Sequence, residues 1–396
     1  MALVPEIEQI RAAMQEWRRD IHAYPETAFE EVRTAALVAE KLTKFGLDEV
    51  HTGIATTGVV GVLRAGPSAA GNQARSIGLR ADMDALDVFE KNDFEHRSTH
   101  DGKMHACGHD GHTTMLLGAA QHLAQTRRFD GTVYFIFQPA EENEGGGEAM
   151  VKAGLFERFP AEGVYGMHNW PGLEVGKMAV RAGPMLAAFD LFEIIVTGKG
   201  AHAAMPHLGI DPVVAASHLV TALQTIASRT VDPLQSSVVT VTQFHGGDTW
   251  NVIPETVVLR GTSRSFSAEV RDQLESRVSE TAERIAAAFG AKAEVRYMRR
   301  YPATVNSEAE TETAATVASQ VVGPDNLDRD PSPTMGSEDF SYMLQEKPGC
   351  YILLGNGPGE GGCTLHNPHY DFNDDALAIG ASYWARLAEH CLAAPA

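Results

Sequence analysis

The chain has 396 residues, with 52 acidic side chains against 32 basic ones and a formal net charge of −20. That surplus of acid excludes sequence-independent nucleic-acid binding, which needs basic side chains to displace phosphate counterions. Hydrophobic residues are 44% and charged residues 21% of the chain, an ordinary globular mixture long enough for two domains or three.

Residues 1–20 contain Glu6, Glu8 and Glu16 and no apolar run of signal-peptide length, and no stretch of the chain approaches a membrane span. A soluble, cytoplasmic protein without a membrane partner is expected. Ile7, Ile10, Met14, Trp17 and Ile21 recur at three and four residues and predict a helix over 5–24. A second helix is expected over 27–45, stopped by Gly46. The period then shortens: 58–64, 76–81, 131–137 and 164–168 read as strands, with a helix over 112–128. Val133 through Phe137 are apolar on both faces, as in a strand covered on two sides. Residues 191–297 have their own rhythm, with strands at 191–197, 237–244, 256–263 and 292–297 and helices at 211–228 and 267–289. That β-α-β-β-α-β order is ferredoxin-like. Beyond it come a helix opening at Ser337-Glu338-Asp339, a strand at 351–354 and a last helix from Asp374. The fold class expected is α/β: a catalytic domain with a central mixed sheet flanked by helices, formed by 1–186 and 299–396 and interrupted by an inserted ferredoxin-like domain at 187–298.

Within 105–112, His105, Cys107, His109 and His112 place one thiol and three imidazoles ahead of an apolar helix. Thiolate and imidazole are ligands of borderline-soft divalent metals. Cys107 and His109 read as metal ligands, whereas His105 and His112 are as readily helix-terminal caps. Four cysteines in so long a chain make no disulfide scaffold, and none lies near enough to Cys107 for a redox pair. Glu141 and Glu142 follow the most apolar strand, where ligands gather in open α/β sheets. Beside the Cys/His cluster, one reads as a ligand and the other as a general base for metal-bound water. His168 ends the strand at 164–168, and His366 lies in a polar segment. Cys107, His109, Glu142, His168 and His366 are too many donors for one closed tetrahedral site, and suit two ions sharing a ligand. In the inserted domain, His202, Asn251 and Arg264 sit in or near glycine-rich loops and can bind an anion or polarise a carbonyl, or be ordinary turn and surface residues.

At these residues the sequence resembles the amidohydrolase branch of the aminoacylase/carboxypeptidase family of metallopeptidases, the branch holding hippurate hydrolase, N-acyl-amino-acid amidohydrolases and auxin-conjugate hydrolases. The resemblance runs through 18–26, 79–86, 105–112, 139–142, 167–172, 336–340 and 366–373. It implies a di-metal peptidase-like catalytic domain with the insertion as lid and dimerisation domain. It further implies that Cys107, His109, Glu142, His168 and His366 hold one or two divalent ions (zinc, manganese, cobalt or nickel), and that Glu141 shuttles the proton. Asp82 matches a catalytic acid that orients a metal-bound histidine, but the wider family has that histidine two residues earlier, where this chain has Arg80. Arg80 and Asp82 are then left to brace the site. By the same resemblance His202 reaches the active site of the other subunit of a homodimer, and Asn251 and Arg264 hold the substrate, an N-acyl amino acid. A dipeptidase or carboxypeptidase, and a metal-binding protein without catalysis, are the competing readings.

Overall fold

Among the described residues, eight strands form the larger sheet, in the order Glu49–Ile54, Gly58–Ala65, Gly131–Gln138, Ser76–Asp82, Gly163–Pro171, Gly349–Gly357, Met178–Ala179 and Leu327–Asp328. The computed structural model describes residues 1–69, 75–142, 144–358 and 363–394. The four central strands of the sheet, Gly131–Gln138, Ser76–Asp82, Gly163–Pro171 and Gly349–Gly357, run parallel, while those at 49–54 and 58–65 pair antiparallel. The sheet is therefore mixed, and every residue of the strands at 76–82, 131–138 and 349–357 is buried. Parallel strands covered on both faces need continuous apolar runs, which these sequences supply. Their carboxyl ends share one edge, where Asp82 lies opposite Gln138 and His168 opposite Leu353.

The N-terminal apolar stripe holds, but as two helices, Pro5–Gln9 and Arg11–Ala23, broken at Ile10 with φ −98° and ψ 7°. The second helix starts at Val32, later than its pattern predicts. The segment before it is folded back on itself: Phe29 has φ +61°, and the Glu26 carboxylate takes the N–H groups of Arg33 and Thr34 at 2.9 and 2.8 Å. Helix donors of the first turn are thus satisfied by a side chain seven and eight residues upstream. Two of the elements without a sequence expectation carry no large-apolar signature. One is the polar edge strand Glu49–Ile54; the other is the helix Glu308–Val322, whose buried face is mostly alanine, valine and threonine. The helix expected to open at Ser337 begins instead at Ser341, because Asp339 is buried in a side-chain network described below.

The chain divides into two units, one made of Met1–Met185, Val305–Ser332 and Asp339–Ala396, the other of Leu186–Thr304 with Pro333–Glu338. The second unit runs past residue 298 and takes in 333–338 because Ala187 N–H donates to the carbonyls of Thr334 and Gly336 at 3.1 and 2.9 Å. Its four-stranded sheet has the order Ser237–His245, Thr256–Ser265, Ala188–Thr197, Lys292–Arg299, every pair antiparallel. With the helices Pro212–Thr225 and Ala268–Ala288 this is the β-α-β-β-α-β arrangement. Asp211 caps the first helix through Val213 N–H at 2.8 Å, ahead of Pro212. Burial alternates along 188–197, and Val270, Leu274, Val278, Ala282 and Ala286, spaced every four residues, make a stripe facing the same core. No helix is long and apolar enough to cross a membrane among the described residues.

Ile194, fully buried in the middle of that sheet, should cost about 2–5 kcal/mol when truncated to alanine. Hydrogen exchange of the strand amides reads this, and a loss below about 1 kcal/mol would place the core of the second unit elsewhere.

Candidate metal centre

The polar cluster at 105–112 sits where a loop enters the helix His109–Thr126. Gly108 makes that entry with φ +92°, and a Cβ there would meet Asn169 Oδ1 at 2.3 Å and the Tyr370 hydroxyl at 2.6 Å. Glycine alone fits. Cys107 and His109 are thereby buried beside the carboxyl end of the strand 163–171, with Cys107 Sγ 3.4 Å from His168 Nε2. His168 gives its Nδ1–H to the Asn169 carbonyl at 2.6 Å, and His109 gives its own to the Asp84 carbonyl at 2.9 Å. In the neutral, metal-binding form both rings then present Nε2 as the lone-pair nitrogen, the arrangement that fixes a ligating imidazole. Ligand atoms of Cys107, His109 and His168 lie within 4.8 Å of one another, as do those of Cys107, Glu142 and His366, and those of His109, Glu141 and Glu142. The five donors read from the sequence are thus brought together, in two groups that have Cys107 in common.

Two observations test whether a cation fits. His109 Nε2 and Glu142 Oε1 are buried polar atoms without a hydrogen-bond partner, an arrangement that costs free energy unless something else meets them. His366 Nε2 lies 3.1 Å from Glu142 Oε1 as an ion pair. A soft thiol, three imidazoles and a carboxylate around such orphaned atoms suit a divalent metal. His112 resolves the other way: Nδ1 bonds Asp82 Oδ1 at 2.6 Å and Nε2 meets Asn169 Oδ1 at 2.6 Å, so both nitrogens are engaged. His105 is buried outside the groups just named.

Asp82 does not reach a histidine at position 80. Its Oδ2 accepts Arg80 Nη1–H at 2.7 Å and stands 3.8 Å from His109 Nε2. Burial alone would raise its carboxyl, but His109, His112 and Arg80 hold it well below the usual range. Arg80 also donates to Gln138 Oε1 at 2.8 Å and Asp339 Oδ1 at 3.1 Å, stitching the ends of two strands to the segment before the helix Ser341–Glu346.

Glu141 and Glu142 stand on a tight loop after the strand 131–138. Ala140 is left-handed with φ +53°, a conformation that costs a residue with a side chain roughly 1–2 kcal/mol. The loop closes on Gly146, where a Cβ would sit 1.7 Å from the Pro139 carbonyl oxygen. Glu141 is 6% exposed and its Oε1 accepts Asp339 N–H at 3.4 Å, while Glu142 N–H donates to Asp84 Oδ2 at 2.9 Å.

Sequence reasoning did not find the supporting acids Asp84, Asp110 and Asp339, nor the role of Arg18. Fully buried, Arg18 donates to Asp371 at 2.8 Å and Asp374 at 2.7 Å, both in the segment after His366, and lies 3.6 Å from Asp110, next to His109. His22 joins it, bonded to Asp110 at 2.8 Å. Charged residues in a helix whose partners come from distant segments leave no local signal. In the second unit, His202 is exposed and accepts Ala204 N–H on Nδ1 at 3.1 Å, so its neutral ring carries the proton on Nε2. Asn251 joins the same tip through its carbonyl, 2.9 Å from Ala203 N. The half-buried Arg264 guanidinium meets Ser337 Oγ and the Phe189 ring, 4.2 Å from its centroid, rather than a carboxylate.

Buried soft donors at the carboxyl edge of a mixed sheet, next to a glutamate pair, define a metal-dependent hydrolase of the peptidase type. The chain belongs to Peptidase family M20/M25/M40, whose family model matches residues 78–390. It is 41% identical to a hippurate hydrolase of Campylobacter jejuni, over 98% of this chain and 99% of that one. It is also 41% identical to an N-acetyl-L-cysteine deacetylase of Bacillus subtilis, over 93% and 85% of the two chains. The fold superposes on a dinuclear metal-binding peptidase of the M20 family from Bacillus subtilis with a TM-score of 0.83 and 33% identity, covering 97% of this chain and 99% of that one.

Without metal, burial works against charge on His109, yet Asp82 and Asp84 raise it to about 10. Burial, Glu142, Glu141 and Asp82 raise the Cys107 thiol well above its ordinary value. Both groups hold protons at neutral pH, so a cation must displace them. Manganese affinity of the apo protein should therefore fall as pH drops from 8 to 6, by about tenfold per pH unit for each proton displaced. Calorimetry in buffers of different ionisation enthalpy counts those protons; none released, with affinity independent of pH, would remove His109 and Cys107 from the ligand set.

Proposed function

We propose that this enzyme hydrolyses the amide bond of N-acyl amino acids, hippurate-like or N-acetyl, to a carboxylic acid and a free amino acid. The observation that carries the reading is the buried Glu141 beside Glu142, both within ligand reach of His109. A binding protein would need only one of the two acids. The names of relatives at 41% identity, a hippurate hydrolase and an N-acetyl-L-cysteine deacetylase, support the substrate class.

Cys107, His109, Glu142, His168 and His366 would hold one or two divalent ions; zinc, manganese, cobalt and nickel all suit this donor set, and availability selects among them. An ion held there supplies Lewis acidity toward water and the amide carbonyl. Glu141 takes the proton of the attacking water and returns it to the leaving amine, so one carboxylate closes the proton balance. Asp82 stays ionised and keeps His112 and Arg80 in place around the donors. His202, contributed by a second copy of the chain, donates from Nε2 to the oxyanion, and Asn251 and Arg264 hold the carboxylate of the amino-acid part. A homodimer supplies that second copy. The outer edge of the strand Ser237–His245 has no partner strand among the described residues and is the natural seam. Four unpaired cysteines, three of them buried, fit a reducing cytoplasm.

Glu141→Gln should retain bound metal and lose turnover by about 10²–10⁴-fold; normal turnover on N-benzoyl-glycine and N-acetyl-methionine would refute the assignment. Chelation should abolish activity and added manganese, cobalt or zinc restore it. On the same panel a plain dipeptide should be a poor substrate, and a preference for it would shift the reading to a dipeptidase.

A further inference from the structure

Glu31 is buried without any exposed surface and lies outside the donor set, yet it meets the loop that carries Glu141. Its Oε1 accepts the N–H of Ala140 at 2.9 Å and of Phe29 at 3.0 Å, and its Oε2 accepts the Thr57 hydroxyl at 2.5 Å. Ala140 is the left-handed residue directly before the glutamate pair. On the other side of Glu141, the Glu142 N–H is held by Asp84. Two buried carboxylates thus grip the backbone amides that flank the general base, one on each side. Burial first, and then the charge of Asp84, raise the Glu31 carboxyl to about 7, and a buried carboxylate is retained only where donors satisfy it. Here the donors are backbone amides whose placement decides where the Glu141 side chain starts.

We infer that Glu31 is a positioning residue for Glu141: through Ala140 N–H it holds the loop in its left-handed turn and so sets the general base at its working distance. The inference rests on the proposed amide hydrolysis. Glu142 keeps its own support from Asp84, so metal binding should survive loss of Glu31. Displacing a catalytic group by about 1 Å costs roughly a hundredfold in rate.

Glu31→Ala should lower kcat on N-acetyl-methionine by about 10–100-fold, with KM within about twofold and manganese content equal to the parent enzyme. Glu31→Gln, whose amide oxygen still accepts from Ala140 and Phe29, should recover most of the loss. The discriminating variant is Glu31→Ala combined with Ala140→Gly. Glycine enters the left-handed region without help, so the pair should regain part of kcat, which a merely structural role for Glu31 would not produce. If Glu31→Ala does not fold, Thr57→Val carries the test, since it loosens the same carboxylate, and a several-fold fall in kcat at constant KM is expected. A parental kcat in Glu31→Ala, or equal losses of metal and turnover, would overturn the inference while Glu141→Gln remains inactive. A Glu141→Gln enzyme of parental activity would instead overturn the function on which it rests.

Discussion

The negative charge of Asp82, fully buried at the end of a central strand, must be balanced in place, and the surrounding site is arranged around that balance. Taking a carboxylate out of water costs several kcal/mol, and removing one partner of a buried pair leaves a charge with nothing to meet it. Arg80 on the same strand and His112 on the helix His109–Thr126 meet it here. Because Arg80 also bonds Gln138 and Asp339, the balance fixes the relative positions of two strands and the loop that supports Glu141. Arginine at position 80 thus leaves no gap in the site: Asp82 is held by Arg80 and His112.

A second set of buried charges works at a longer reach. Arg18 joins Asp110, next to His109, with Asp371 and Asp374, in the segment after His366. Two donors far apart in the chain are thus referred to a single guanidinium on the N-terminal helix. His22, raised to about 9 by Asp110 and Glu90 against the effect of burial, extends this network as a cation. Rigid placement of soft ligands by surrounding hydrogen bonds is what tunes a metal site, and here that surround comes from the first 31 residues as much as from the strand ends.

The donors were readable because chemistry concentrates them: a thiol and imidazoles in eight residues, and a glutamate pair after an apolar strand. The β-α-β-β-α-β unit was readable because its burial follows periods of two and four. The supporting acids escaped reading for one shared reason. Glu31, Asp84 and Asp339 act on backbone amides or side chains more than fifty positions away, and a single acid in a sequence looks the same whether solvated or buried. The strand at 49–54 is polar because it sits at a sheet edge, and the helix at 308–322 hides its inner face behind small residues. The break at Ile10 leaves the apolar stripe intact, so periodicity cannot report it.

The division of the chain has a consequence for synthesis. The strand Gly349–Gly357 lies inside the larger sheet, between Gly163–Pro171 and Met178–Ala179, yet it leaves the ribosome after all the other strands of that sheet. Until then, the nascent polypeptide carries His168 on an uncovered border, while the segment from Leu186 to Thr304 is already complete in one stretch. That stretch lacks only residues 333–338 of its unit and can mature early. Its host must wait for the last strand, and His366 follows later still, so a ribosome stalled near residue 340 would release a chain with an open sheet and an unfinished ligand set.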